Sequence, residues 1–247
     1  MALPVLAATA ARLGVALPEG ALEYFERYRE LLLAENARAG LTAITQPAAI
    51  EARHFGESLA LFAVLRGLGA LSPREPGGVV RLADLGPGGG FPGVPMAIVD
   101  PSIAFTLIEA HGRRAAFLAR VIDELAVARA TVHHARAEDV GRAPGLRGAF
   151  DVVVARALAP LAVLVEYALP LLREGGLLAT PKGSRAREEL EAAAGAIAAL
   201  GGTAEEPHPL PLPPDAAPQD VLLVRRTGPV DERYPRRAGV PARRPLG

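Results

Sequence analysis

The sequence predicts a doubly wound α/β fold: a mostly parallel, seven-stranded sheet preceded by a helical extension. Three observations carry this expectation. From residue 79 onward short apolar runs alternate with helical patterns, as strands joined by crossover helices do. The first run, Val-Val-Arg-Leu-Ala-Asp-Leu over 79–85, breaks into Gly-Pro-Gly-Gly-Gly-Phe-Pro-Gly and then restarts as an apolar segment. That is strand, tight turn and helix start. Everything before residue 69 shows apolar positions at helical spacing alone.

Taken in order, residues 3–13 and 20–37 read as amphipathic helices, the second carrying Leu22, Phe25, Leu32 and Leu33 with Tyr24 and Tyr28 alongside. Pro18, Glu19 and Gly20 separate them. Thr45-Gln46-Pro47 opens another helix, with Ile50, His54, Phe55, Leu59 and Phe62 along one side to about Leu68. Strand candidates are 79–85, 103–109, 130–133, 150–155, 175–181, 203–208 and 220–226. Five parallel strands and a closing pair place a ligand outside the carboxyl ends of the strands. The Pro-rich stretch 207–218 cannot lie inside a sheet and reads as a stiff loop. The division is therefore residues 1–68 as helical extension, 69–78 as a Gly/Pro linker, 79–226 as the main domain and 227–247 as a basic tail.

The chain has 247 residues, half of them hydrophobic, enough for one large core with a small annex. Its 27 basic and 27 acidic residues cancel, so a nucleic-acid surface must come from local segregation of charge. Cysteine is absent, which removes disulfides, thiolate metal sites and cysteine nucleophiles together. No membrane-spanning run or secretory opening is legible, and no metal site. The expectation is a cytoplasmic monomer.

The glycine turn carries the ligand. Gly86, Gly88, Gly89 and Gly90 permit positive φ and close approach of a ligand to the backbone, and Pro92 or Pro95 suits the first turn of the next helix. Gly88, Gly90 and Gly93 also satisfy the dinucleotide pattern G-x-G-x-x-G, so the glycines alone do not choose a cofactor. The flanks do. Asp84 lies inside the strand, where dinucleotide folds are usually apolar, and its carboxylate can accept from the loop or from a ligand amino group. This favours S-adenosylmethionine. Glu109 closes the next apolar run about 20 residues on, where a carboxylate can take both ribose hydroxyls of either cofactor.

Arg156 follows the fourth strand candidate, at the carboxyl edge where a methyl donor would meet its target. An acceptor for an exocyclic amine proton, commonly Asn or Asp with Pro-Pro and an aromatic, is missing there. A pyrimidine carbon would require a cysteine. A ring nitrogen with an in-plane lone pair, such as guanine N7, needs neither and calls mainly for positioning. Lys182, the only lysine in the chain, ends the fifth strand candidate on the same side, and Arg156 and Lys182 are the two candidate catalytic residues, acting on the RNA or transition-state side. Arg136-Ala137-Glu138-Asp139 suits either adenine contact or a helix start. Beside Phe55, His54 reads as a packed residue. From Arg225 to Gly247 seven arginines face Asp231 and Glu232, poor core material and a good tracker of phosphates.

Together these residues resemble one family, the bacterial small-subunit (16S) ribosomal RNA guanine-N7 methyltransferases, or glucose-inhibited division protein B. The likeness rests on Leu41-Thr42-Ala43-Ile44, Arg53-His54-Phe55, the run Asp84 to Pro95 with its Gly-Phe-Pro-Gly, Arg113-Arg114, Arg136 to Asp139, Ala155-Arg156-Ala157, Lys182-Gly183 and Tyr234-Pro235-Arg236-Arg237. It implies a class I S-adenosylmethionine-dependent methyltransferase fold and a guanine in small-subunit ribosomal RNA, free or within the subunit, as target. By the same resemblance Gly86, Pro87, Gly88 and Phe91 line the methionine end, Glu109, Ala110 and His111 the ribose, Ala137 and Glu138 the adenine, and Arg156 the donor and target side. Arg53, His54, Arg113, Lys182, Arg236, Arg237, Arg243 and Arg244 are implied on the RNA side. Glu35, Gly40 and His111 depart from the family's usual Trp, Asn and apolar residue. Two other readings stand beside this one: a nicotinamide-dependent oxidoreductase, and a non-catalytic ribosome-assembly factor on a methyltransferase fold.

Overall fold

A computed structural model describes residues 3–247. Helices α1 (Pro4–Arg12), α2 (Ala21–Ala39), α3 (Pro47–Ile50) and α4 (Glu57–Gly67) come first, with a π-helical turn, Glu51–Gly56, between the last two. Strands β1 (Arg81–Leu85), β2 (Ala104–Glu109), β3 (Ala130–His134), β4 (Phe150–Val154) and β5 (Leu172–Lys182) alternate with α5 (Gly93–Val99), α6 (Gly112–Glu124), α7 (Ala137–Val140) and α8 (Leu161–Ala168). Then come α9 (Ala186–Ala192), α10 (Ala194–Ala199), β6 (Gly202–Ala204), β7 (His208–Pro209), β8 (Asp220–Arg226) and α11 (Val240–Arg243).

The sheet runs β3-β2-β1-β4-β5-β8-β6, with β7 also paired to β8. Strands β1 to β5 are parallel, and β8 is antiparallel to β5, β6 and β7. The expected doubly wound sheet is thus borne out, and the strand order reverses between β1 and β4, where such sheets open a crevice at their carboxyl ends. The sixth strand candidate is split in two. Pro209 has no N–H to give a ladder and ends the outer, two-residue piece. Val79, expected in the first strand, follows the Gly77-Gly78 turn and is 43% exposed. β5 begins earlier than its apolar run, because a register shift opposite β4 absorbs Gly175 and Gly176.

Alternation of side chains divides the interior. Leu82, Val152 and Val154 face a core shared with the N-terminal helices, α5 and α6, whereas Ala83, Leu85 and Val153 face α8 and α10. Within the first core Phe25, Tyr28, Phe55 and Phe91 form an aromatic cluster, with Tyr28 and Phe55 centroids 5.4 Å apart and Tyr28 and Phe91 5.5 Å apart. The Tyr28 hydroxyl donates to the Gly89 carbonyl, so α2 touches the back of the glycine turn. Glu51, 3% exposed, accepts from the Val5 and Leu6 N–H groups at 3.0 and 3.2 Å and pairs with Arg29. One buried carboxylate therefore caps α1 and fixes the π-helical turn that carries His54.

Both departures in α2 find local partners. Glu35 pairs with Arg38 and Arg120 on the surface, and Gly40 occupies the left-handed position (φ 60°) that ends α2, where Asn is the other residue that fits readily.

Candidate active site

The glycine turn leaves β1 at the crevice. Gly86 and Gly88 have φ of 63° and 58°, which a side chain tolerates poorly. A Cβ on Gly86 would collide with Leu158, whereas one on Gly88 would meet nothing within 4 Å, so the space at Gly88 is open to a ligand. Two carboxylates hold this backbone. Asp84 Oδ2 accepts from the Gly93 N–H at 2.7 Å, and Glu109 Oε2 accepts from the Gly88 N–H at 3.1 Å. Glu109 Oε1 also accepts from the His111 N–H at 2.8 Å, and the His111 ring, largely exposed, lies against the same oxygen at 3.1 Å. The first N–H of α5 is spent on Asp84 and does not face the crevice.

Asp84 is fully buried, and its Oδ1 has no hydrogen-bond partner. Burial pushes its carboxyl up to about 7; the Gly93 N–H and the Arg156 guanidinium oppose that shift, and Glu109 adds to it. A buried, unpaired carboxylate oxygen beside an open glycine turn is what a ligand bearing a polar donor requires. The adjoining cleft, about 230 Å³, is lined by Gly86, Ile108, Glu109, Ala110, Ala137 and Glu138, with Arg114 and Arg136 also on its wall, a mixture of apolar surface and polar groups that fits a nucleoside.

Of the other expected residues, Phe91 turns away from the cleft. It is 4% exposed, its ring stacked on His54 at 4.4 Å within the aromatic cluster; its apolar surface is better buried against the N-terminal helices. Pro87 forms the turn itself, its carbonyl accepting from the Gly90 and Phe91 N–H groups. Arg156 reaches across to the π-helical turn. Its Nη1 donates to the Arg53 carbonyl at 2.9 Å and to Glu57 at 3.4 Å, and its Nη2 to His54 Nδ1 at 3.0 Å. Since guanidinium can only donate, Nδ1 is the acceptor, and Nε2–H donates to the Thr42 hydroxyl at 2.6 Å. Burial, then Arg156 and Arg53, lower His54 to about 4, so the ring is neutral. His54 is thus a buried support for Arg156 and does not present itself to RNA.

Lys182 is paired as well: its Nζ donates to the Ala159 carbonyl at 2.9 Å and to Glu189 at 2.7 Å. It braces the loop after β4, in which Ala157 sits at φ 54°, a strained value for a residue with a Cβ. Arg113 is exposed and donates to the Arg38 carbonyl at 3.3 Å. Arg53 is exposed and pairs with Glu57.

The tail differs most from expectation. Val230, Tyr234, Pro235 and Pro241 are buried, and Arg236 makes a two-pronged pair with the fully buried Glu166 at 2.9 and 2.6 Å. Arg225 is held by Glu205 and the Gly175 carbonyl, and Arg226 by the Leu172 carbonyl. Only Arg237, Arg243 and Arg244 of the four tail arginines assigned to RNA expose their side chains. Leu158, Tyr167, Gly239 and Ala242, which no motif singled out, also line the cleft. The apolar Tyr234-Pro235 and Gly239-Val240-Pro241 steps were the one signal that this tail folds back. Among the described residues no group of three His, Asp or Glu could hold a metal, and no helix is long and apolar enough to cross a membrane.

The raised Asp84 pKa has a measurable consequence. Between its unfolded value, near 4, and about 7 the folded protein binds a proton that the unfolded chain has lost, so stability falls as pH rises through this window. Asp84→Asn, which keeps the acceptor for Gly93, should raise ligand-free stability over wild type at pH 8 by at least about 1.4 kcal/mol, one pKa unit, and leave it nearly unchanged at pH 4. Equal Tm differences at the two pH values would contradict the assignment.

Comparison with known proteins agrees with this geometry. A family profile described as rRNA small subunit methyltransferase G (GidB) matches residues 21–208. The chain is 38% identical over 238 residues to ribosomal RNA small subunit methyltransferase G of Desulfitobacterium hafniense, covering 96% of this chain and 95% of that one. For the protein of the same name from a Roseiflexus species the identity is 42%, over 96% and 97%. A solved variant of MtNAS in complex with S-adenosylmethionine superposes with a TM-score of 0.54 at 16% identity, over 83% of this chain and 75% of that one, a likeness of fold alone. The resemblance read from the residues is borne out. By profile and by full-length relatives alike, the chain belongs to the rRNA small subunit methyltransferase G (GidB) family.

Proposed function

We propose that this chain transfers a methyl group from S-adenosylmethionine to N7 of a guanine in small-subunit (16S) ribosomal RNA, acting as a cytoplasmic monomer. The observation that carries the reading is the open glycine turn with the unpartnered Asp84 Oδ1 beside a nucleoside-sized cleft, in a chain of this family. When bound, S-adenosylmethionine supplies an electrophilic methyl group on a sulfonium centre. Asp84 would take a donor group at the methionine end, Glu109 with Ala110 would hold the ribose, and Ala137 and Glu138 would flank the adenine. Guanine N7 carries its own lone pair, so the site has no proton to remove, and Arg156 and Lys182 are not asked to act as bases. Catalysis is then alignment. Arg156 keeps its Nε–H and one Nη2–H free of partners among the described residues, donors suited to the O6 acceptor beside N7. Lys182 acts through the loop it braces. The oxidoreductase reading gives way to the family and to Asp84, and the non-catalytic reading to the intact turn and both carboxylates.

The direct test is nucleoside analysis after incubating the protein with small-subunit ribosomal RNA, or the intact subunit, and methyl-labelled S-adenosylmethionine. Label should appear in N7-methylguanosine alone, and Gly88→Val should abolish it while unfolding stays cooperative. Label in another nucleoside, or in none with either substrate, would overturn the reading.

Arg237, Arg243 and Arg244 face solvent on the tail beside the cleft, and the proposal assigns them to RNA phosphates. Reversing all three to glutamate, with Arg236 left in its pair, should weaken RNA binding and flatten its salt dependence by about 0.7 in log–log slope per lost contact. A slope identical to wild type would remove them from the RNA surface.

A further inference from the structure

The C-terminal tail leaves β8, passes α7 and α8 and ends beside α9 and α10, and on the way Gly239 and Ala242 form part of the cleft wall. Its course is specified by buried partners. Glu166 on α8 is fully buried and accepts from three donors of Arg236: Nη2 at 2.6 Å, Nε, shared between both carboxylate oxygens at 2.9 and 3.1 Å, and the backbone N–H at 2.8 Å. The same guanidinium donates to the Arg244 carbonyl at 2.8 Å, closing the segment between them into a loop. Arg142 donates to the Arg233 and Pro235 carbonyls and Arg147 to those of Val230, Asp231 and Tyr234, so the main domain grips the tail by its backbone.

The loop so formed lines the cleft with Gly239 and Ala242 and touches its acidic lining through the first of them. Glu138, 4% exposed, accepts from the Gly239 N–H at 2.8 Å, so the same carboxylate that ends the adenine side of the cleft is oriented by the tail. Tyr167, next to Glu166 on α8, completes that wall; burial, then the Glu138 and Glu166 carboxylates, push its phenol up to about 12, so it stays a neutral donor. A tail that only tracked RNA would require none of these contacts.

We infer that residues 236–242 are a built wall of the cofactor cleft, and that Arg236, through Glu166 and the Gly239–Glu138 contact, is a positioning residue for the adenosine end of the donor. The inference rests on the reading of the cleft as the S-adenosylmethionine site. It divides the tail arginines: Arg236 turns inward and sets donor affinity, while Arg237, Arg243 and Arg244 turn outward.

Steady-state kinetics with S-adenosylmethionine and small-subunit RNA separates this role from plain stabilisation. Arg236→Ala should raise KM for S-adenosylmethionine roughly tenfold, leaving kcat at saturating donor and KM for RNA unchanged, and Arg236→Lys, which keeps one of the contacts, should fall between. Breaking a buried pair can also unfold a protein. Ala242→Trp therefore serves as the second variant: it leaves the ion pair intact, replaces an exposed residue, and should raise the same KM by intruding on the cleft. Wild-type KM for the donor in Ala242→Trp, together with wild-type KM or a parallel loss of kcat in Arg236→Ala, would overturn the inference. If wild-type protein itself fails to bind S-adenosylmethionine, the reading of the cleft fails first; if wild type binds and Gly88→Val does not, a null result in the tail variants counts against the tail alone.

Discussion

Two carboxylates at the ends of neighbouring parallel strands hold the glycine turn in shape, and the rest of the site depends on that grip. Asp84 and Glu109 are both buried, and each spends an oxygen on a backbone N–H, Asp84 at Gly93 where α5 begins and Glu109 at Gly88 within the turn. Burying a carboxylate is unfavourable unless it is hydrogen-bonded, and Asp84 is only half satisfied. The raised pKa of its side chain is the electrostatic mark of that deficit. Folding stability and ligand affinity therefore pull in opposite directions at this residue, as they do at sites that keep a polar group waiting for a partner.

The N-terminal helices belong to the site as much as the sheet does. Tyr28 fastens the back of the turn, Phe91 enters their aromatic cluster, the π-helical turn delivers His54 and the Arg53 carbonyl to Arg156, and the start of α4 delivers Glu57. A π-helical turn is uncommon and is often found at functional positions; here it swings His54 inward, and Glu51 pins it to α1. The neutral His54 accepts from Arg156 and passes the contact on to Thr42, which itself accepts from the Ile44 N–H. The guanidinium at the carboxyl edge of the sheet is thus aimed by a chain of polar contacts that runs entirely through the helical extension.

Much of this was legible in the residues. The alternation of apolar runs predicts the sheet, because strands buried on both faces need continuous Val and Leu, and the glycines mark the turn because a backbone at positive φ needs them. Asp84 stood out as an acid inside an apolar strand, and Glu109 as the acid that closes the next apolar run. What the residues did not reveal depends on partners distant in sequence. His54 reads as an ordinary packed histidine until Arg156, over a hundred positions later, is seen against it. Lys182 reads as a cation turned toward the site until Glu189 is placed beside it. The tail reads as basic and solvated because composition counts arginines without showing that Arg142 and Arg147 clasp its carbonyls or that Glu166 is buried beneath Arg236. An arginine that builds and one that is left exposed look alike in a sequence.

If the paired carboxylates create the cofactor site, removing the one that holds the Gly88 N–H, and that is proposed to take the ribose, should destroy binding without unfolding the chain. Calorimetric titration of S-adenosylmethionine into Glu109→Ala measures this most directly. The account predicts no detectable binding by a variant whose thermal unfolding remains a single cooperative transition. Wild-type affinity in Glu109→Ala would contradict it.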